Sequence, residues 1–101
     1  MIHESGDYGE LATGETRLAF SSKDLMKQIG KAPCDVDPSA PTFEIAFETA
    51  EVASNLKRAL EAGATLVQDV AEMPWGQTTA YVRDNNGFLV ELCTAVRPQP
   101  Q

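Results

Sequence analysis

Pro74-Trp75-Gly76-Gln77-Thr78-Thr79-Ala80-Tyr81-Val82-Arg83-Asp84-Asn85-Asn86-Gly87-Phe88-Leu89-Val90-Glu91-Leu92-Cys93 is the stretch that decides the fold. Residues 77–83 and 88–94 are rich in β-branched and aromatic side chains, which suit a pleated, half-buried surface. Asn86-Gly87 between them is a hairpin signal, because both residues tolerate a positive φ. Alternation in the second run predicts Phe88, Val90 and Leu92 on one face and Leu89, Glu91 and Cys93 on the other. Glu91 breaks the apolar run. A carboxylate in mid-strand needs water or a partner, so its face is either the solvated side of a one-sided sheet or the lining of a concave site.

Upstream of this hairpin, residues 65–70 read as a strand. Residues 50–62 read as a helix, with Val52, Leu56, Ala59 and Leu60 at helical spacing and Asn55, Lys57, Arg58 and Glu61 toward water. Thr49 is placed to cap it, Glu51 suits its first-turn dipole, and Gly63 is placed to stop it. Residues 42–48 alternate, with Phe43, Ile45 and Phe47 opposite Glu44, Ala46 and Glu48. The order over residues 42–96 is therefore β-α-β-β-β. Residues 31–41 hold Pro33, Pro38 and Pro41 and read as a linker. Before it, Tyr8–Ala12 and residues 15–21 flank Thr13-Gly14 as a second hairpin. Residues 2–5 read as a short strand or the tail of one, and Ser5-Gly6-Asp7 as a turn. Residues 23–29 form a short helix capped by Ser22 and closed by Gly30.

The chain of 101 residues has the length of a single domain, residues 1–101, of α+β class, and its 43% hydrophobic content is ordinary for a folded protein. A net charge of −7 argues against nucleic acid, which needs stripes of Lys and Arg, and favours cationic ligands. No apolar run is long enough to span a bilayer, so no membrane role is expected. The first residues carry no secretory pattern. Cys34 and Cys93 lack metal or disulfide-framework spacing and read as free thiols, which suits a reducing cytoplasm.

The run Phe43-Glu44-Ile45-Ala46-Phe47-Glu48, the helix end Leu60-Glu61-Ala62-Gly63-Ala64, Pro74-Trp75-Gly76, and Asp84-Asn85-Asn86-Gly87-Phe88-Leu89-Val90-Glu91-Leu92 together resemble the second module of the vicinal oxygen chelate superfamily. That group holds glyoxalases, bleomycin-resistance proteins and extradiol dioxygenases. Asn85 stands where the family usually has Pro. Residues 3–20 resemble the last three strands of the first module, whose first strand and helix have no counterpart here. The resemblance implies one complete βαβββ module over residues 42–96, with strand order 1-4-3-2. It implies a partial first module over residues 1–30, and a cleft enclosed by both.

Family metal sites draw ligands from the first and last strands of each module. By that correspondence Glu91 matches the last-strand carboxylate, and Glu44 stands where a His is most often found. Residues 16–21 offer no ligand, and the lone imidazole, His3, lies at the chain start. The resemblance thus implies a two-carboxylate metal site, Glu44 and Glu91, facing the same way from neighbouring strands. Two carboxylates suit Mg²⁺ or Mn²⁺ better than Zn²⁺ or Fe²⁺. Unpaired, they repel each other, and a cation, water, Arg83 or a basic group of a ligand would relieve this. Gln77, Thr79 and Tyr81 are implied to share the face of Glu91, and Glu48 that of Glu44, giving an acidic cleft floor. Trp75 is either a core filler or a flat wall for an aromatic or cationic ligand. Cys93 reads as a buried small hydrophobe.

Two functions stay open. One is a small-molecule-binding protein of the glyoxalase/bleomycin-resistance type, holding a cationic or aromatic compound on Glu44, Glu48, Trp75, Gln77, Thr79, Tyr81 and Glu91 without a cofactor. The other is a divalent-metal-dependent lyase, isomerase or dioxygenase of the same superfamily, with the metal as Lewis acid. A homodimer is expected through residues 8–21, because loss of a first strand leaves residues 16–21 as an open edge.

Overall fold

The computed structural model describes residues 3, 4, 6 and 8–96, with the side chains of His3 and Glu4 outside that description. The chain divides into two compact units, Met1–Asp35 and Val36–Gln101. The boundary falls inside the predicted linker.

The second unit is the complete module. Its elements run β4 (Glu44–Glu48), α2 (Val52–Glu61), β5 (Thr65–Glu72), β6 (Thr78–Arg83) and β7 (Leu89–Cys93). The sheet order is β4-β7-β6-β5, which is 1-4-3-2 in module numbering. β4 and β7 are parallel, and the other neighbours are antiparallel. α2 forms because its apolar residues fall on one stripe. That stripe buries Val52 and Leu56 against Ala80 and Val82, with Ala64, Val90 and Leu92 packed around them. The sheet face of Ala80, Val82, Val90 and Leu92 is therefore the one that α2 covers.

Thr49 does not cap α2 in the expected way. Its hydroxyl oxygen accepts from the Glu51 backbone N–H at 3.0 Å and from Asn55 Nδ2 at 2.8 Å, which makes Glu51 the N-cap, without a side-chain cap of its own. The helix starts two residues later than predicted for that reason. Gly63 ends it at φ 107°. There an added Cβ would lie 3.0 Å from Asn85 Oδ1. β5 runs two residues further than predicted, through Ala71 and Glu72, with two register shifts against β6. Such bulges twist an edge strand and break its side-chain alternation.

The β6–β7 turn also differs in detail. Only Gly87 has a positive φ, 88°, and Asn86 does not. The Asp84 carboxylate accepts from the Asn86 and Phe88 N–H groups, both at 2.9 Å, while the Gly87 N–H donates to the Asp84 carbonyl at 3.0 Å. This carboxylate-braced turn removes the need for a second left-handed residue.

The first unit holds β1 (His3–Glu4), β2 (Tyr8–Ala12), β3 (Arg17–Ser21) and α1 (Lys23–Gln28). The strands form an antiparallel sheet in the order β1-β2-β3. Ser22 caps α1 as predicted, its hydroxyl oxygen accepting from the Leu25 N–H at 3.0 Å. Ile2 and Ser5 of the predicted first strand, and Ser5 and Asp7 of the predicted turn, lie outside the described residues. The α+β architecture is thus one complete βαβββ module with an incomplete one before it. No helix among the described residues is long and apolar enough to cross a membrane.

Candidate functional site

Pairing across β4, β7 and β6 sorts the face opposite α2 into three rungs. The first holds Glu44, Leu89 and Arg83, with Thr65 of β5 opposite Arg83. The second holds Ala46, Glu91 and Tyr81, with Gln68 opposite Tyr81. The third holds Glu48, Cys93 and Thr79, with Ala71 opposite Thr79. Side chains on neighbouring strands that pair directly share a face. Glu44, Glu48 and Glu91 thus lie on the face opposite α2, around the small side chain of Ala46. Neighbouring strands are about 4.8 Å apart, which puts Glu91 one strand from both β4 carboxylates.

Glu91 is half-buried, and its partner is Tyr81. The tyrosine hydroxyl donates to Glu91 Oε2 at 2.7 Å. This bond, followed by burial and the charges of Glu91 and Glu44, pushes the Tyr81 phenol above its ordinary value. Arg83, a candidate partner for the carboxylates, donates instead from Nε to the Pro38 carbonyl at 2.9 Å. Glu44 and Glu48 are exposed.

The third rung is tightly closed. Thr79 is 2% exposed, and its hydroxyl oxygen accepts from Gln68 Nε2 at 3.1 Å, so Gln68 covers it. Cys93 is buried, with its thiol 3.8 Å from the Phe47 carbonyl. Burial first, then the negative charge of Glu91, raises its pKa, which keeps it a neutral thiol and removes it as a nucleophile.

Trp75 sits on the turn between β5 and β6. The Gly76 N–H donates to the Met73 carbonyl at 2.9 Å, and Gly76 takes φ 91°. The indole is 52% exposed, so it is not a core filler. Its Nε1–H donates to Gln77 Oε1 at 2.9 Å, and Gln77 Nε2 donates to the Thr94 carbonyl at 2.9 Å. Gln77 thereby braces Trp75 and has both amide ends engaged.

Of the residues singled out in the sequence, the register brings Glu44, Glu48, Tyr81 and Glu91 to one face. It places Thr79 on the same face but buried, while Gln77 and Trp75 lie outside the paired strands, between β5 and β6. Gln68 was missed, because the bulges of β5 hide its face from a period-two reading. The donor set does not fit a resident Zn²⁺ or Fe²⁺. Glu44 and Glu91 supply oxygen alone, Glu91 already accepts from Tyr81, and no group of three or more His, Cys, Asp or Glu among the described residues is arranged to hold a metal.

Residues 2–92 match the family model described as Glyoxalase/Bleomycin resistance protein/Dioxygenase superfamily. Among solved structures, the chain is similar to a glyoxalase-related enzyme from Fulvimarina pelagi, at 21% identity and TM-score 0.76, over 93% of this chain and 68% of that one. It is similar to a glyoxalase/bleomycin resistance protein/dioxygenase family enzyme from Burkholderia phytofirmans PsJN, at 20% identity and TM-score 0.68, over 93% and 75%. It is also similar to a bleomycin-binding protein complexed with bleomycin, at 19% identity and TM-score 0.60, over 93% and 76%. At these identities the likeness is one of fold. No curated protein matches the chain.

Proposed function

The chain belongs to the Glyoxalase/Bleomycin resistance protein/Dioxygenase superfamily, and we propose that within it the chain is a small-molecule-binding protein that holds a cationic, aromatic compound without chemical conversion. The observation that carries this reading is the clustering of Glu44, Glu48 and Glu91 on the sheet face that α2 leaves uncovered. Three carboxylates around Ala46 favour a positive group over a neutral or negative one. Tyr81 fixes the orientation of Glu91, and Gln77 fixes that of Trp75. The ligand's charge rests on Glu44, Glu48 and Glu91, and its ring on Trp75. Thr79 supports the site from its buried place on the same face, and Gln77 supports it through Trp75. A likeness to a bleomycin-binding protein fits this reading and makes bleomycin one compound to test. We also take the working unit to be a homodimer joined through residues 8–21, acting in the cytoplasm.

Trp75 is the sole tryptophan, so its fluorescence reports binding directly. Titration with a planar aromatic cation is expected to give a saturable change. Glu91→Gln and Glu44→Gln are each expected to weaken it about tenfold, or about 1.4 kcal/mol. An equal response to the neutral isostere, or no saturable response to any cation, would refute the reading.

A further inference from the structure

β5 shifts its register against β6 twice, once on each side of Gln68. Leu66 opposes Val82, so an unbroken antiparallel ladder would carry Gln68 opposite Ala80. Ala80 is 0% exposed and packs with Val52, Leu56 and Val82, apolar surroundings in which an amide is costly to bury. The first shift instead sets Gln68 opposite Tyr81, on the face of Glu91. The second falls at Asp69 and Val70, where the Asp69 carboxylate accepts from the Val70 N–H at 2.7 Å. An extra residue in one strand re-aims a side chain, and the side chain re-aimed here is that of Gln68.

Its amide is held at one end only. Nε2 donates to the hydroxyl oxygen of the buried Thr79 at 3.1 Å, while the Oε1 carbonyl accepts no hydrogen bond from the described residues. On the same rung the Tyr81 hydroxyl is committed to Glu91. Gln68 is thus the neutral side chain of that rung with an uncommitted acceptor, half-buried and oriented by Thr79. An acceptor fixed before binding costs little further ordering when a ligand arrives. Gln68 and Glu91 pair with Tyr81 from its two sides, so they stand two strands apart.

We infer that Gln68 determines specificity on this face, its Oε1 accepting a hydrogen bond from a neutral N–H donor of the ligand about 10 Å, or two strand spacings, from the positive group on Glu91. This rests on the binding reading given above and narrows its ligand class. The compound is an aromatic cation that carries an uncharged amino or amide N–H at its far end. The carboxylates select the charged end, and Gln68 selects the other. A carbonyl with no charge of its own gives that second contact its preference for a donor without adding to the attraction for cations in general.

Calorimetric titration of the whole chain tests this with two biphenyl compounds. Each carries an amidinium at one end, and at the other either an amino or a methyl group, so that two para-linked rings supply the span. The amino compound is expected to bind about tenfold more tightly than the methyl one. Gln68→Met is expected to bind both alike, at the methyl compound's original Kd. In the unaltered chain, the side-chain amide resonance of Gln68 is expected to shift with the amino compound and to stay in place with the methyl one, a readout that needs no variant to fold. Equal Kd values in the unaltered chain, a preference undiminished in Gln68→Met, or a Gln68 resonance that ignores the amino group would overturn the role of Gln68 and leave the cation reading standing. Binding of benzamidine but of neither biphenyl would overturn the span in the same way. Binding of none of the three would overturn this inference and the cation reading together.

Discussion

Tyr8 donates to Glu10 in the first unit and Tyr81 to Glu91 in the second, each at 2.7 Å. The same bond rests on two different foundations. In the second unit a ten-residue helix seals one sheet face and buries Val52, Leu56, Ala80 and Val82. In the first unit α1 has six residues, and none of the described residues is buried. A three-stranded sheet with no buried residue among those described has little apolar burial to set against chain entropy. The comparison teaches that a tyrosine–carboxylate pair does not make a site by itself. The pair in the second unit is set among further carboxylates on a sheet whose opposite face is anchored, whereas the pair in the first unit adjoins Arg17 on a sheet that lacks a core.

The largest expected effect tests that difference in foundation. Leu56→Ala is expected to destabilise the second unit by about 2–5 kcal/mol, the cost of a cavity in a packed core. Trp75 fluorescence during urea unfolding measures it. Leu18→Ala in the first unit is expected to change the same transition by less than about 0.5 kcal/mol. Equal shifts would show that the two units unfold as one and that the contrast in burial does not govern stability.

The next effect separates the two tyrosines. Both phenols are raised above 10.0, first by the hydrogen bond to the neighbouring carboxylate. A group raised on folding lends stability that is fully present below its unfolded pKa. That stability is lost as pH climbs through the folded value. The Tyr81–Glu91 bond is therefore expected to support the second unit at neutral pH and to fail only above pH 10. Ultraviolet titration of tyrosinate should show Glu91→Gln lowering the ionisation of Tyr81 toward the ordinary value while Tyr8 stays unchanged. A shift of both would mean that the pairs are coupled.

The smallest effect concerns the brace on Trp75. Gln77→Ala is expected to cost about 1 kcal/mol, the worth of a net hydrogen bond, and to lower the fluorescence anisotropy of Trp75. Unchanged anisotropy would show that the indole is held by something other than Gln77.

Much of the second unit could be read from its residues. Alternation in β4 and β7 and the apolar stripe of α2 are strong periodic signals. Strand order came from the resemblance, since period alone does not say which strands are neighbours. The Tyr81–Glu91 bond was accessible in principle. Counting outward from Asn86 pairs Arg83 with Leu89, Val82 with Val90 and Tyr81 with Glu91. It was hidden because a one-residue error in the turn flips every face. The burial of Thr79 was hidden more deeply, because it depends on Gln68, and β5 shifts register on both sides of Gln68. The first unit was legible in its hairpin and its Ser22 cap, which are local. What its uncovered edge meets is not a local property of the sequence.

The central claim is that the carboxylate face of the complete module is the binding surface. Amide chemical-shift mapping with a planar aromatic cation addresses it most directly. The predicted result is a set of shifts that saturate together at Glu44, Ala46 and Glu48 of β4, at Tyr81 of β6 and at Glu91 and Cys93 of β7, and that vanish in the Glu44→Gln, Glu91→Gln double variant. Shifts confined to β2 and β3, or to α2 and the face it covers, would contradict it.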